Sequence, residues 1–391
     1  MDTHSQTEPA ISDFLFSHAT RQVVFGAGSF QKLSAYGHDA PRVFVVLDAF
    51  FENHILRQQL SEIFEDAVFH AVPEGEPTSH SVIETTRKLE SVCPDLVIAL
   101  GGGSTIDTAK AALAFASNPG DFKSLFWPNS QIVHAHPATF IAIPTTAGSG
   151  SEVSETAVID QPGTVYKSHM RSPYIAARIV ILDPELTLST PFATTASSGF
   201  DALTHAIEAY TSRGANPMTD PLALSGATLL IQNLVKAAMT PDDIAARGAC
   251  LLGSAQAGIA FNSAHLGLSH AIAGALGALH HVPHGLANAL ALPWTMAFNR
   301  SACRAKDAVL AEVFDAPNTA AGLSKLRFDL KLDVSIDDFV TGADKLDAVA
   351  EAAMTSGQIA MNPRTPNVRD IRAILEAMRH ETGGGDPQLN L

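Results

Sequence analysis

Asp95-Leu-Val-Ile-Ala-Leu-Gly-Gly-Gly-Ser-Thr-Ile-Asp-Thr-Ala-Lys110 opens as a strand and closes as a helix. Residues 95–100 are apolar after the first aspartate, which suits a strand buried on both faces. Gly101-Gly102-Gly103 lets backbone N–H groups approach an anion closely, and Ser104 can cap the helix that follows or donate to a phosphate. The helix N-terminus adds roughly half a positive charge. By itself the segment is compatible with two readings, a phosphate loop or a tight strand-to-helix turn, because it is neither GxGxxG nor a Walker loop.

Moving outward, the same rhythm repeats. Val43 to Leu47 is an apolar run ending at Asp48, and a helical pattern follows through Ile55, Leu60 and Phe64. Phe140-Ile-Ala-Ile-Pro144 is another short strand, and Pro144-Thr-Thr-Ala-Gly-Ser-Gly-Ser-Glu152 follows it with four hydroxyls and two glycines. Apolar strands alternating with helices predict a parallel sheet covered on both faces, with ligand loops at its carboxyl edge. Asp48, at the end of an early strand, is where a carboxylate binds adenosine ribose hydroxyls and repels a 2′-phosphate; it equally suits a surface N-cap. From about Thr187 onward the pattern changes to helical spacing, over 202–210, 222–239, 245–259 and 271–279. The expected fold is therefore α/β, with a Rossmann-like nucleotide domain at 1–188 and an all-helical domain at 189–391.

Composition agrees with a large globular core. The chain has 391 residues, 46% hydrophobic and 17% charged, with a formal net charge of −15. An acidic surface argues against nucleic acid or an anionic membrane as a partner. Cys93, Cys250 and Cys303 are odd in number and far apart, so no disulfide framework or CxxC knuckle is expected, and a reducing cytoplasm fits. Met1 to Ser12 lack a basic start and an apolar run, which reads as a polar tail rather than a signal peptide. No run is expected to reach the roughly 18 apolar residues of a membrane helix.

Asp201-Ala-Leu-Thr-His205 sets a carboxylate and an imidazole at i and i+4, one turn apart on a single helix face. His270 and His284 follow downstream. Three imidazoles and a carboxylate suit Fe²⁺ or Zn²⁺. Among sixteen histidines chance pairs are expected, and His265, His280 and His281 are equally available by counting alone.

Taken together, Gly101-Gly-Gly-Ser-Thr-Ile-Asp107-Thr-Ala-Lys110, residues 144–152, Gly199-Phe-Asp201-Ala-Leu-Thr-His205-Ala-Ile-Glu208 and Val282-Pro-His284-Gly-Leu-Ala-Asn288-Ala resemble the iron-containing (group III) alcohol dehydrogenases. The resemblance runs from Phe25-Gly-Ala-Gly28 to Asn362-Pro-Arg364. It implies a dehydroquinate synthase-like fold with the active site between two domains. It implies Asp201, His205, His270 and His284 as metal ligands, with Fe²⁺ or Zn²⁺ bound. Gly102, Gly103 and Ser104 would hold the pyrophosphate of NAD, with Asp107, Thr145, Thr146 and Lys167 beside it, and Asp48 favours NAD. It implies hydride transfer between nicotinamide and a small alcohol or carbonyl, in a homodimer.

Two positions depart from the family pattern. Gly274 stands where many members carry a proton-relaying histidine four residues after the third ligand, and His265 stands where a small residue is usual. His265 and His281 are thus the candidate relays. A glycine after the ligand and a histidine before it are similar to the maleylacetate reductase branch, although that branch usually lacks the aspartate. A reductase of a carboxylated carbonyl is accordingly the alternative, with Arg171 and His169 as candidate carboxylate contacts. A dehydroquinate synthase-type lyase and a non-catalytic nucleotide binder are further alternatives. Trp294, where many members have histidine, is expected to narrow the pocket.

Overall fold

The computed structural model describes residues 14–37, 40–126, 130–161, 167–379 and 385–387. The polar tail expected at 1–12 lies outside them. Six parallel strands form the N-terminal sheet: β1 (Gln22–Phe25), β2 (Val43–Asp48), β3 (Val68–Val72), β4 (Leu96–Gly101), β5 (Thr139–Pro144) and β8 (Ile179–Leu182), in the spatial order β1-β8-β5-β4-β2-β3. A separate antiparallel ribbon joins β6 (Thr156–Ile159) to β7 (Ser168–Arg171). Helices α1 (Ile55–Ile63), α2 (Ser79–Val92) and α3 (Gly103–Ser117) serve the sheet.

β4 is buried along its whole length and β2 up to Asp48, as continuous apolar runs require. Register brings their ends together: Leu47 pairs with Leu100, and Gly101 with Pro144. The loops after β2, β4 and β5 therefore lie side by side at the carboxyl edge. At the β4–α3 turn Gly101 has φ +158°, and a Cβ there would meet Thr105 Oγ1 at 2.5 Å and Asp48 Cβ at 2.9 Å. A side chain is excluded by geometry and by contact alike.

The C-terminal part is helical: α4 (Phe192–Thr211), α5 (Asp220–Met239), α6 (Ile244–Ala264), α7 (Leu268–His280), α8 (His284–Asn299), α9 (Arg304–Phe314), α10 (Thr319–Asp329), α11 (Ala343–Met354) and α12 (Val368–Arg379). Two apolar clusters hold it. One gathers α4, α5, α6, α8 and α10 around Phe200, Leu230 and Leu292; the other gathers α7, α8, α11 and α12 around Ile272, Leu290 and Ile374.

One expectation needs correction here. Helices α5 and α6 are each long and apolar enough to cross a membrane. They pack against each other and against α4, and the apolarity of α6 serves that interior. Trp294, expected to narrow the pocket, is buried in the second cluster with Leu268 and Ile272.

Candidate metal and nucleotide site

Asp201 and His205 lie one turn apart on the buried face of α4; His270 is in the first turn of α7, and His284 is the first residue of α8. Asp201 Oδ1 is 3.7 Å from His270 Nε2 and 3.6 Å from His284 Nε2. One ligand-capable atom each from Asp201, His270 and His284 falls within 4.8 Å of the others. His205 stands beside this triad, its ring stacked on that of His270 with centroids 4.6 Å apart.

Two of the imidazoles are oriented from outside the cluster. His270 Nδ1 donates to Glu208 Oε2 at 2.6 Å, while Glu208 Oε1 accepts from the Ser269 backbone N–H at 2.7 Å. That bond leaves the lone pair on His270 Nε2 pointing at Asp201. His205 Nδ1 donates to the Gly148 carbonyl at 3.3 Å, which frees its Nε2 in the same way. Burial, then the neighbouring His270 and His284, push the His205 proton affinity down to about 3 against the pull of Asp201. It is neutral at pH 7 and able to bind a metal. Burial works against ionisation of Asp201, but the three histidines and the Asn288 amide hold its pKa below the usual value.

The donor set fits a divalent cation of intermediate softness. A direct sign of the fit is Asn288, one turn after His284. Its amide Nδ2 donates to Asp201 Oδ1 at 2.7 Å and lies 3.2 Å from His270 Nε2 and 3.4 Å from His284 Nε2. Three electron pairs converge on a single positive hydrogen-bonding group, which is the arrangement a cation requires.

The nucleotide side lies at the sheet edge. Gly102 is the N-cap of α3 with no side-chain cap, so the first N–H groups of Gly103 and Ser104 are not consumed by a side chain. Thr146 lies over Gly102. Asp48 caps the next turn by accepting from Phe50 N at 3.1 Å, and it accepts from Thr105 Oγ1 at 3.4 Å. Thr145 is buried, its backbone N–H bonded to Gly101 O. Lys167 pairs with Glu76 at 2.6 Å.

Three expected site residues are placed differently. Asp107 is buried, with one oxygen bonded by Ser151 Oγ and the other by Val158 N at 2.9 Å. Both its oxygens are thereby committed to the polar loop and β6. His281 is the exposed, left-handed C-cap of α7. His265 caps α6, and its Nδ1 is held by Arg171 at 3.1 Å. Among the described residues neither histidine bonds to the ligand triad. At Gly274, where a relay histidine is missing, a Cβ would meet nothing within 4 Å.

The sequence reading assigned no role to Glu208 or Asn288. Both were visible in spacing: Glu208 is seven residues after Asp201 and Asn288 four after His284, so each shares a helix face with a ligand.

A doubly wound sheet, a helical half bearing a carboxylate–histidine cluster, and a phosphate loop between them define a metal-dependent nicotinamide oxidoreductase. Family comparison makes this specific. Residues 20–184 match the model for iron-containing alcohol dehydrogenase, and residues 195–379 match that for the Fe-containing alcohol dehydrogenase family, C-terminal. The chain is 37% identical to a probable alcohol dehydrogenase EutG of Escherichia coli K12, covering 78% of each chain. It is 30% identical to an NAD-dependent methanol dehydrogenase of Bacillus methanolicus, covering 86% of this chain and 92% of that one. An iron-containing alcohol dehydrogenase structure from Thermococcus thioreducens superposes with a TM-score of 0.85 at 30% identity, covering 94% of this chain and 100% of that one. The chain belongs to the iron-containing alcohol dehydrogenase family. It is an oxidoreductase acting on the CH–OH group, of the iron-containing class.

Proposed function

We propose that the chain interconverts a small alcohol and its aldehyde with NAD(H), using Asp201, His205, His270 and His284 as metal ligands. The observation that supports this most is the convergence of Asp201 Oδ1, His270 Nε2 and His284 Nε2 on one point. When bound, a divalent metal supplies Lewis acidity at the substrate oxygen. The chain supplies the rest. The N–H groups at Gly102, Gly103 and Ser104 and the α3 N-terminus hold the pyrophosphate, Thr145, Thr146 and Lys167 border it, and Asp48 takes the ribose hydroxyls. Glu208 and Gly148 fix the imidazole tautomers. The apolar packing around α4 and α7 keeps water from the buried ligands, so charge interactions there are strong. With no imidazole at position 274, the proton leaves through solvent on the side of His284, whose side chain is 39% exposed.

A cytoplasmic enzyme is proposed as well, a reading supported by three cysteines that are odd in number and far apart in the sequence. A homodimer is proposed from the family.

The test is NADH oxidation against propanal by metal-stripped protein, before and after addition of Fe²⁺ or Zn²⁺, in the wild type and in His270→Ala. Restoration by metal in the wild type and not in the variant is expected. Equal rates with and without metal would remove the metal from the reaction and leave only nucleotide binding.

A further inference from the structure

Asn362-Pro-Arg-Thr-Pro366 is a stiff stretch that directly follows the single turn Gly357–Met361. Its prolines fix φ and leave few conformations to lose on docking. Asn362 is extended at φ −66° and ψ +137°, as the position before a proline favours.

Residues 361–365 touch all three helices that carry the proposed ligands. At the end of α4, Arg213 N and Ser212 Oγ donate to Met361 O at 2.9 and 3.3 Å, and Arg213 Nη2 donates to Thr365 Oγ1 at 2.7 Å. At the end of α8, Asn299 and Asn362 exchange two amide bonds, Nδ2 to Oδ1 in each direction, at 3.0 and 2.7 Å. Arg364 Nη1 donates to Phe298 O at 3.1 Å, with its guanidinium 4.0 Å over the Phe298 ring. At the start of α7, Leu268 N donates to Asn362 Oδ1 at 3.1 Å, across 94 positions of chain.

Asn362 is buried, and its amide is fully used. Nδ2 donates to Asn299 Oδ1 and to Arg364 O, and Oδ1 accepts from Leu268 N and Asn299 Nδ2. The bond to Leu268 matters because α7 has no cap of its own. Its N-cap is Gly267, and its first two N–H groups are met from outside the helix, Leu268 by Asn362 and Ser269 by Glu208. A Cβ at position 267 would lie 2.8 Å from Asn362 Oδ1 and 3.1 Å from Glu208 Oε1, so glycine lets both acceptors reach the helix end. His270 follows in that same turn. A first turn held at two N–H groups has a fixed direction, and the His270 ring takes its direction from it.

We infer that residues 361–365 form a clasp that fixes the mutual positions of α4, α7 and α8, with Asn362 as a positioning residue for His270. Metal affinity is then set partly by a segment that supplies no ligand. This rests on the ligand assignment proposed above.

Zn²⁺ affinity of the metal-stripped full-length protein, measured by chelator competition, tests it, together with the NADH dissociation constant and the urea midpoint of the same samples. Asn362→Ala should weaken Zn²⁺ binding by about 10–100-fold, as loss of a group that supports a ligand from behind does, with NADH affinity at the wild-type value. Arg213→Ala, on the surface at the outer end of the clasp, should weaken it by about 2–10-fold, the range of one hydrogen bond, and gives a reading even where Asn362→Ala does not fold. Thr78→Ala removes the cap of α2 in the other domain; it should lower the urea midpoint and leave Zn²⁺ affinity unchanged. Wild-type Zn²⁺ affinity in both clasp variants overturns the inference and assigns the segment to stability alone. Equal falls in Zn²⁺ and NADH affinity in Asn362→Ala, or a fall in Zn²⁺ affinity as large in Thr78→Ala, overturn it too, because any loss of stability would then have the same effect. Failure of the wild type to bind Zn²⁺, or equal binding by His270→Ala, overturns the ligand assignment, and this inference with it.

Discussion

Glu208 shows how much of a metal centre resides in groups that never touch the metal. Its two oxygens hold the His270 ring and the Ser269 backbone together, so the ligand's direction is set before any cation arrives. Replacing Glu208 by Gln keeps the shape but weakens the acceptor. Metal affinity, measured by chelator competition, should fall by about 10–100-fold. An unchanged dissociation constant would show that the apolar packing alone aims His270. Gly274 offers the opposite case. A Cβ there has open space, and glycine inside a helix costs about 0.5–1 kcal/mol relative to alanine. Gly274→Ala should raise the denaturant midpoint accordingly; a lower midpoint would mean that α7 needs the glycine for a contact not visible in the fold. Residues of both kinds were within reach of sequence reasoning only in part. Spacing paired Asp201 with His205, and only the family resemblance singled out His270 and His284 from the other histidines; Glu208 and Asn288 stood at helical spacing from two of these residues without being given a role. Spacing could not reveal that Asp107 turns inward, because a helix shows which residues share a face but not which face the sheet covers.

Among the elements, those with strong periodicity were legible and the weak ones were not. The apolar runs at β2, β4 and β5 and the helical spacing of α4 to α7 matched to within a few residues at most ends, although α4 begins ten residues before the reading placed it. The β6–β7 ribbon went unread. Its strands are four residues each, and β7 is Ser-His-Met-Arg, which carries almost no strand propensity. Tertiary pairing makes it a strand. The β3–α2 unit carries a pH-sensitive contact. His70 on β3 is buried; Thr85 Oγ1 donates to Ser81 O and so must accept from His70 Nε2, at 3.0 Å. Lys88 donates to His70 Nδ1 at 2.9 Å. Burial first, and Lys88 second, lower its pKa below the usual 6.5. The fold therefore prefers the neutral ring. Its contribution is fully present above pH 6.5 and is lost as the pH falls from there through the lower folded pKa, because only the unfolded chain takes up the proton readily. Urea midpoints at pH 8 and pH 5 should show this loss, and Lys88→Met, which removes the repelling ammonium, should lose less. Identical losses in both proteins would assign the acid sensitivity to other groups.

At the scale of the whole molecule the proposed nucleotide and metal sites share one loop. The two-part architecture could be read from the switch in periodicity near residue 187, but the joint could not, because it is built by glycines with no pattern of their own. The loop after β5 meets α6 backbone to backbone. A Cβ at Gly258 would lie 2.6 Å from Val153 Cγ2 and 3.0 Å from Gly150 Cα. The same loop supplies Thr146 beside the phosphate turn and the Gly148 carbonyl that orients His205. Pushing α6 away from it should therefore disturb both ligands at once. Gly258→Ala forces such a shift, at a cost of about 1–3 kcal/mol typical of overpacking. It should raise KM for NADH and weaken metal retention together, although residue 258 contacts neither. Gly274→Ala, in the same domain but facing open space, is the control for a general effect of adding a methyl group. If Gly258→Ala lowers stability while NADH and metal affinity both stay at wild-type values, the loop holds its shape without α6. The two sites would then be neighbours rather than parts of a single packed unit.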